Sequence, residues 1–144
     1  MGTGERRDRH HHWRMMTNSV AIDALLEAAR EGLDRVLPAG LEIEITAGAL
    51  VVDIRPIEQR ERDGELPAAL IIDRNVLEWR LDPTCPHHTP EVSDPDQRII
   101  IVCNEGYSSS LAAATLRRLG LARVTDLAGG FQAWKLFSRH HSIS

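Results

Sequence analysis

The sequence is poor in cysteine, short of long apolar runs and without an excess of positive charge, and each shortage closes off a class of protein. Two cysteines in 144 residues, Cys85 and Cys103, are too few for a disulfide framework, so each thiol is judged by its own surroundings. No apolar stretch reaches the length of a membrane span, and the longest ones read as single buried strands. The N-terminus carries Arg and His but no apolar signal core, which points to a cytoplasmic protein. A formal net charge of -4 offers no general attraction for nucleic acid or for an anionic membrane.

What is present suits one ordinary domain with a real core: 42% of the residues are hydrophobic and 26% charged. Residues 1–17 show no periodicity and read as a disordered arm, with His10-His11-His12 a poor metal site in a flexible tail. Residues 18–138 form the domain, and 139–144 read as a flexible tail. From Ser19 the pattern is helical. Ile22, Leu25, Leu26, Ala29, Leu33 and Val36 share one apolar face, Asn18 or Ser19 can cap its start, and Pro38 with Gly40 marks its end. That face is expected to serve packing alone.

Four short apolar runs follow, Leu50–Ile54, Ala69–Ile72, Ile99–Val102 and Val124–Leu127, with a weaker fifth strand expected at Leu41–Ile45. Continuous apolarity suits a sheet covered on both faces. A helix from about Ser109 to Leu119 joins the last two runs, and strand–helix–strand at that spacing makes them parallel. The expected fold class is therefore α/β, a three-layer arrangement with a mostly parallel sheet of about five strands. Asp82–Asp96 is proline-rich and aperiodic, a long loop of the kind that often borders a site. Leu77-Glu78-Trp79-Arg80 reads as a helical turn, with Trp79 a packing residue.

Cys103 directly follows a buried strand, and Cys103-Asn104-Glu105-Gly106-Tyr107-Ser108 leads straight into a helix. This is the carboxyl end of a parallel strand, where α/β sheets place ligands. Gly106 permits a tight turn, and Ser108, Ser109 and Ser110 are suitable caps. Loop N–H groups converging on the sulfur, together with the helix dipole, favour a thiolate at neutral pH. A cysteine ending an apolar strand is more often an inert buried thiol; the glycine-containing loop and the helix behind it tip the balance toward a nucleophile.

Several separated motifs then resemble the rhodanese-like domain family, the persulfide-forming sulfurtransferases, over 49–134. Val51-Val52-Asp53-Ile54-Arg55-Pro56 with Glu58 resembles its first signature strand and turn. Gly64-Glu65-Leu66-Pro67-Ala68-Ala69 stands where the family usually has Gly-His-Ile-Pro-Gly-Ala. Val102-Cys103 through Ser109, with Ala112 and Ala113 behind, resembles the active loop and its helix, and Leu127-Ala128-Gly129-Gly130-Phe131 with Trp134 resembles the closing motif. The resemblance implies that Cys103 is the catalytic residue and carries a persulfide. It also implies that Asn104, Glu105, Gly106, Tyr107, Ser108 and Ser109 form the substrate cradle, that Asp53 and Arg55 belong to a supporting polar network, and that no metal or organic cofactor is needed. Sulfur donor and acceptor are a small molecule or a protein.

The loop departs from the family where many members carry Arg or Lys. Asn104, Glu105 and Ser108 stand there, and the charge of Glu105 repels a dianionic donor such as thiosulfate and opposes a thiolate. Arg55, Arg74 and Arg80 are the candidates to compensate. Oxyanion chemistry of the phosphatase type wants a longer cradle ending in Arg, and Ser109 occupies that place. Asp53 and Arg55, two apart, share a face and are equally readable as a loop-positioning ion pair; Glu58 is read the same way. Cys85-Pro86-His87-His88 lacks the second ligand pair of a zinc site, which leaves a surface cysteine as the default and a resolving thiol as the alternative. A non-catalytic rhodanese-like module that binds a partner or senses oxidation remains the runner-up to the enzyme.

Overall fold

Four parallel strands organise the chain, and the computed structural model describes residues 20–141 around them. The arm at 1–17 and the expected caps Asn18 and Ser19 lie outside the described residues. The strands are β1 (Leu50–Asp53), β2 (Leu70–Ile71), β3 (Ile99–Val102) and β4 (Val124–Asp126), in spatial order β2-β1-β3-β4. β1 runs in register with β3 from Leu50 opposite Ile99 to Asp53 opposite Val102. The carboxyl ends of the two central strands therefore lie side by side, and this juxtaposition positions everything described below.

Alternation along each strand divides the core into two layers. Val52, Ile99 and Ile101 face one cluster with Leu77, Leu81, Ala112, Ala113 and Leu116, while Val51, Ile100 and Val102 face another with Leu41, Leu66 and Phe131. Helices cover both. On the first side lie α4 (Leu77–Leu81) and α5 (Ser108–Arg118); α2 (Pro38–Thr46) and α6 (Gly130–His141) cover the second. The other helices are α1 (Ala21–Arg30) and α3 (Ile57–Asp63). This is the expected α/β class with one strand fewer. No helix among the described residues is long and apolar enough to cross a membrane.

The missing strand is Leu41–Ile45, which is helical. Leu-Glu-Ile-Glu-Ile satisfies a strand period, yet Leu41 and Ile45 are also four apart and share a helix face. Pro38 occupies the first helical turn, where its fixed φ suits a helix. Leu41 is buried in the second cluster with Ile45 packed against it, and Ile43 is left 72% exposed.

The first helix is shorter than its apolar pattern suggested. It ends at Arg30, and Val36 instead forms a parallel bridge with Leu127, its N–H donating to Asp126 O at 3.0 Å and its carbonyl accepting from Ala128 N at 2.8 Å. The reason is tertiary: backbone groups at the edge of β4 need partners, and Val36 supplies them. Three further expectations change. Trp79 is 58% exposed and not a packing residue. Residues 139–141 continue α6 instead of starting a tail. The long loop carries no helix or strand between Leu81 and Ile99, as expected, but it does not border the Cys103 pocket.

Candidate active site

The loop from Cys103 to Tyr107 connects β3 to α5 and curls back over the end of the sheet. Its shape depends on Gly106, at φ +88°, where a Cβ would stand 2.7 Å from Gly129 N. The loop is also pinned from α6: Phe131 N donates to Cys103 O at 2.8 Å and Gln132 N to Asn104 O at 3.0 Å. The Gln132 side chain bridges Asn104 Oδ1 and Asp63 Oδ2, each at 2.9 Å. The Arg62 guanidinium beside Asp63 holds its carboxyl below the usual carboxylate range.

Cys103 sits 6% exposed at the bottom of this curl. Its Sγ accepts from Gly106 N at 3.1 Å and Ser109 N at 3.3 Å, and lies 3.2 Å from Ser109 Oγ. The amides of Asn104, Glu105, Tyr107 and Ser108 make no hydrogen bond to protein among the described residues, which leaves four unpaired donors along the loop and the first residue of α5. The Gly106 carbonyl accepts from Arg30 Nη2 at 2.7 Å and Arg35 Nη2 at 3.0 Å. The carbonyl and N–H of one trans peptide point oppositely, so this anchor turns the Tyr107 N–H away from the two arginines.

A cleft of about 260 Å³ opens on the sulfur, lined by Ile54, Arg55 and Gln59 on one side and by Cys103, Asn104, Glu105, Tyr107 and Ser108 on the other. Of the six cradle residues, Asn104, Glu105, Tyr107 and Ser108 line the opening, whereas Gly106 and Ser109 lie buried behind it. Glu105 and Tyr107 are exposed at the rim. Ser108, Ser109 and Ser110 do not cap α5: the N-cap is Tyr107, without a side-chain bond, and the hydroxyls of Ser109 and Ser110 both turn to Asp126 Oδ2 at 2.7 Å.

Asp53 and Arg55 form a buried pair. Arg55 Nη2 reaches Asp53 Oδ2 at 2.8 Å and Gly64 O at 2.9 Å, and the guanidinium lies 3.7 Å from the centre of the Phe131 ring. Its Nη1 is buried without a hydrogen-bond partner among the described residues. Of the three arginines considered as compensation for Glu105, Arg55 alone lines the cleft; Arg74 pairs with Glu78 and Arg80 bonds the His87 carbonyl. Glu58 is exposed and in no ion pair of the described residues. Removing one member of a buried pair strands the other. Arg55→Met is therefore expected to lower unfolding stability by about 3–5 kcal/mol in urea titrations, and Asp53→Asn by less, because the amide oxygen still accepts.

Asp126, Arg30 and Arg35 belong to the site, and sequence reading passed over all three. Asp126 is fully buried and paired with Arg35 at 2.9 Å. A charge inside an apolar strand was its signal. Arg30 and Arg35 carried none: Arg30 reaches the loop from the last residue of α1, and Arg35 only because the chain has already left that helix. Cys85 does not line the cleft; its sulfur accepts from His87 N at 3.4 Å, and no group of metal-ligating side chains occurs among the described residues.

A cysteine-bearing loop at the carboxyl edge of a parallel sheet, with backbone amides on the sulfur, points to a class, and comparison with known proteins identifies it. Residues 38–136 match the rhodanese-like domain model, and the chain belongs to that family. It is 30% identical to the thiosulfate sulfurtransferase GlpE of Stutzerimonas stutzeri (strain A1501), over 70% of this chain and 84% of that protein. It is 33% identical to an adenylyltransferase and sulfurtransferase, UBA4, of Candida albicans, over 59% of this chain but only 19% of that protein's length. Among solved structures, a protein of unknown function from Rhodopseudomonas palustris CGA009, described as a possible tyrosine phosphatase, superposes with a TM-score of 0.74 at 31% identity, covering 83% of this chain and 92% of that one.

Proposed function

We propose that the protein is a sulfurtransferase of the reducing cytoplasm that moves a sulfane sulfur through a persulfide on Cys103. The observation that carries this reading is the geometry of that sulfur: at the floor of an open cleft, with two N–H donors on it and four more along the loop and the first residue of α5. In the first step the Cys103 thiolate attacks the outer sulfur of a donor. A new S–S bond forms, the donor's bond to that sulfur breaks, and the reduced donor leaves with the electron pair. In the second step an acceptor thiolate attacks the outer sulfur of the persulfide, takes it, and returns Cys103 to the thiolate. The loop amides hold the persulfide anion by charge-assisted hydrogen bonds. Phosphate-ester chemistry is disfavoured because Ser109, beneath the sulfur, replaces the arginine an oxyanion requires.

Incubation with sulfur donors is expected to add the mass of one sulfur to Cys103, localised by peptide mapping. No labelling by any donor, thiosulfate and organic persulfides included, would overturn the assignment and favour a non-catalytic module. The exposed Glu105 at the rim disfavours a dianion more than a monoanion. Glu105→Gln is therefore expected to raise kcat/KM for thiosulfate by roughly five-fold and for a persulfide donor by less, in steady-state comparison of the two.

A further inference from the structure

Ser109 has one hydroxyl proton and two neighbours able to accept it. Its Oγ lies 2.7 Å from Asp126 Oδ2 and 3.2 Å from Cys103 Sγ, and all three residues are buried. An ionised carboxylate only accepts, so Ser109 donates to Asp126 and its oxygen receives the thiol proton of Cys103. An anionic sulfur, thiolate or persulfide, has no proton to give. Two acceptors then face one hydroxyl, and rotation about the Cβ–Oγ bond carries the proton from the carboxylate to the sulfur.

Asp126 can release it because its other donors hold. Arg35 Nε is 2.9 Å from Oδ1, Arg35 Nη2 is 3.2 Å from Oδ2, and the Ser110 hydroxyl is 2.7 Å from Oδ2. Ser110 is itself kept in place. Arg30 Nε donates to its oxygen at 3.0 Å, and its alternative acceptor, the Gly106 carbonyl at 3.3 Å, already takes two guanidinium donors. With Ser109 turned away, the carboxylate still accepts three hydrogen bonds.

We infer that Ser109 is a switchable donor that follows the charge on Cys103, and that the Asp126–Arg35 pair is the positioning device that sets its resting direction. The inference rests on the persulfide reading for its use, not for its geometry. When the S–H bond breaks, the electron pair stays on sulfur and the proton goes to water in the cleft; none moves onto Asp126. Arg30 and Arg35 precede residues 38–136, so the stretch upstream of the matched domain completes the site. The charged and titratable groups around the Cys103 loop are Arg55, Glu105 and Tyr107 in the cleft, Asp53 paired with Arg55, Asp126 of β4, and Arg30 and Arg35 on the Gly106 carbonyl.

Asp126 and Ser109 therefore act in opposite senses. Asp126 repels an anionic sulfur and draws the hydroxyl proton from it, whereas Ser109 supplies that proton. The test is the pH dependence of Cys103 alkylation by iodoacetamide in the full chain carrying Cys85→Ser. Ser109→Ala is expected to raise the pH of half-maximal rate by about one unit, the scale of a hydrogen bond to a charged group. Asp126→Asn is expected to lower it. Arg35→Gln, whose side chain is 21% exposed and keeps a hydrogen-bond donor, is the second variant should Asp126→Asn not fold, and is expected to raise it, because the carboxylate then holds Ser109 more tightly. A profile unmoved by Ser109→Ala, or lowered by Arg35→Gln, would overturn the inference. Alkylation requires no sulfur transfer, so the result stands apart from the donor-labelling experiment that decides the persulfide.

Discussion

Cys103→Ser is expected to abolish sulfur transfer, a loss on the order of 10⁴-fold or more, while leaving the fold intact. The substitution keeps the size and replaces sulfur by oxygen, so the loop donors Gly106 N and Ser109 N retain an acceptor. A serine hydroxyl, however, is almost wholly protonated at neutral pH and forms no stable bond to a sulfane sulfur. The chemistry is lost and the packing is not. Donor-to-acceptor turnover measured beside thermal unfolding separates the two, and Cys85→Ser serves as the control expected to keep full activity, since Cys85 does not line the cleft. Residual turnover within ten-fold of the parent would place the sulfur carrier elsewhere.

The second large effect is expected at Gly130, which touches no substrate. It has φ +63°, and a Cβ there would stand 2.6 Å from Cys103 O and 2.7 Å from Asn104 O. Those are backbone atoms of the Cys103 loop and have no rotamer to retreat into. Gly130→Ala is expected to cost about 2–4 kcal/mol, the sum of left-handed strain and overpacking, and to displace the loop whose carbonyls Phe131 N and Gln132 N hold. Activity should fall further than stability explains, with kcat dropping at temperatures where the variant remains folded. An alanine variant with unchanged kcat and unfolding midpoint would show that the loop is not fixed from this side.

Much of this architecture was legible because it is written in local patterns. The run Ile99–Val102, apolar at every position, announced a strand covered on both faces, and both clusters do meet there. Cys103 followed by a glycine-containing loop and a helix announced a turn at the carboxyl edge, and a cleft does open on that sulfur. Leu41–Ile45 misled because its apolar spacing fits two periods at once, and the choice between them was made by Pro38 and by burial against the second cluster. The three serines at the start of α5 read as caps because capping is their commonest local use; a buried carboxylate 16 and 17 residues further on drew two of them instead.

The class of fold, the covered parallel sheet and the single cysteine at its carboxyl edge follow from periodicity, loop chemistry and neighbours along the chain. What surrounds that sulfur depends on long-range packing. Arg30 and Arg35 lie about seventy residues upstream of the loop they anchor, and Asp126 lies on a different strand from the cysteine it influences through Ser109. Hydrogen bonds between such distant residues have no periodic signature. They depend on where α1 ends and on the bridge from Val36 to Leu127, and both are set by the backbone's need for partners once the sheet has formed.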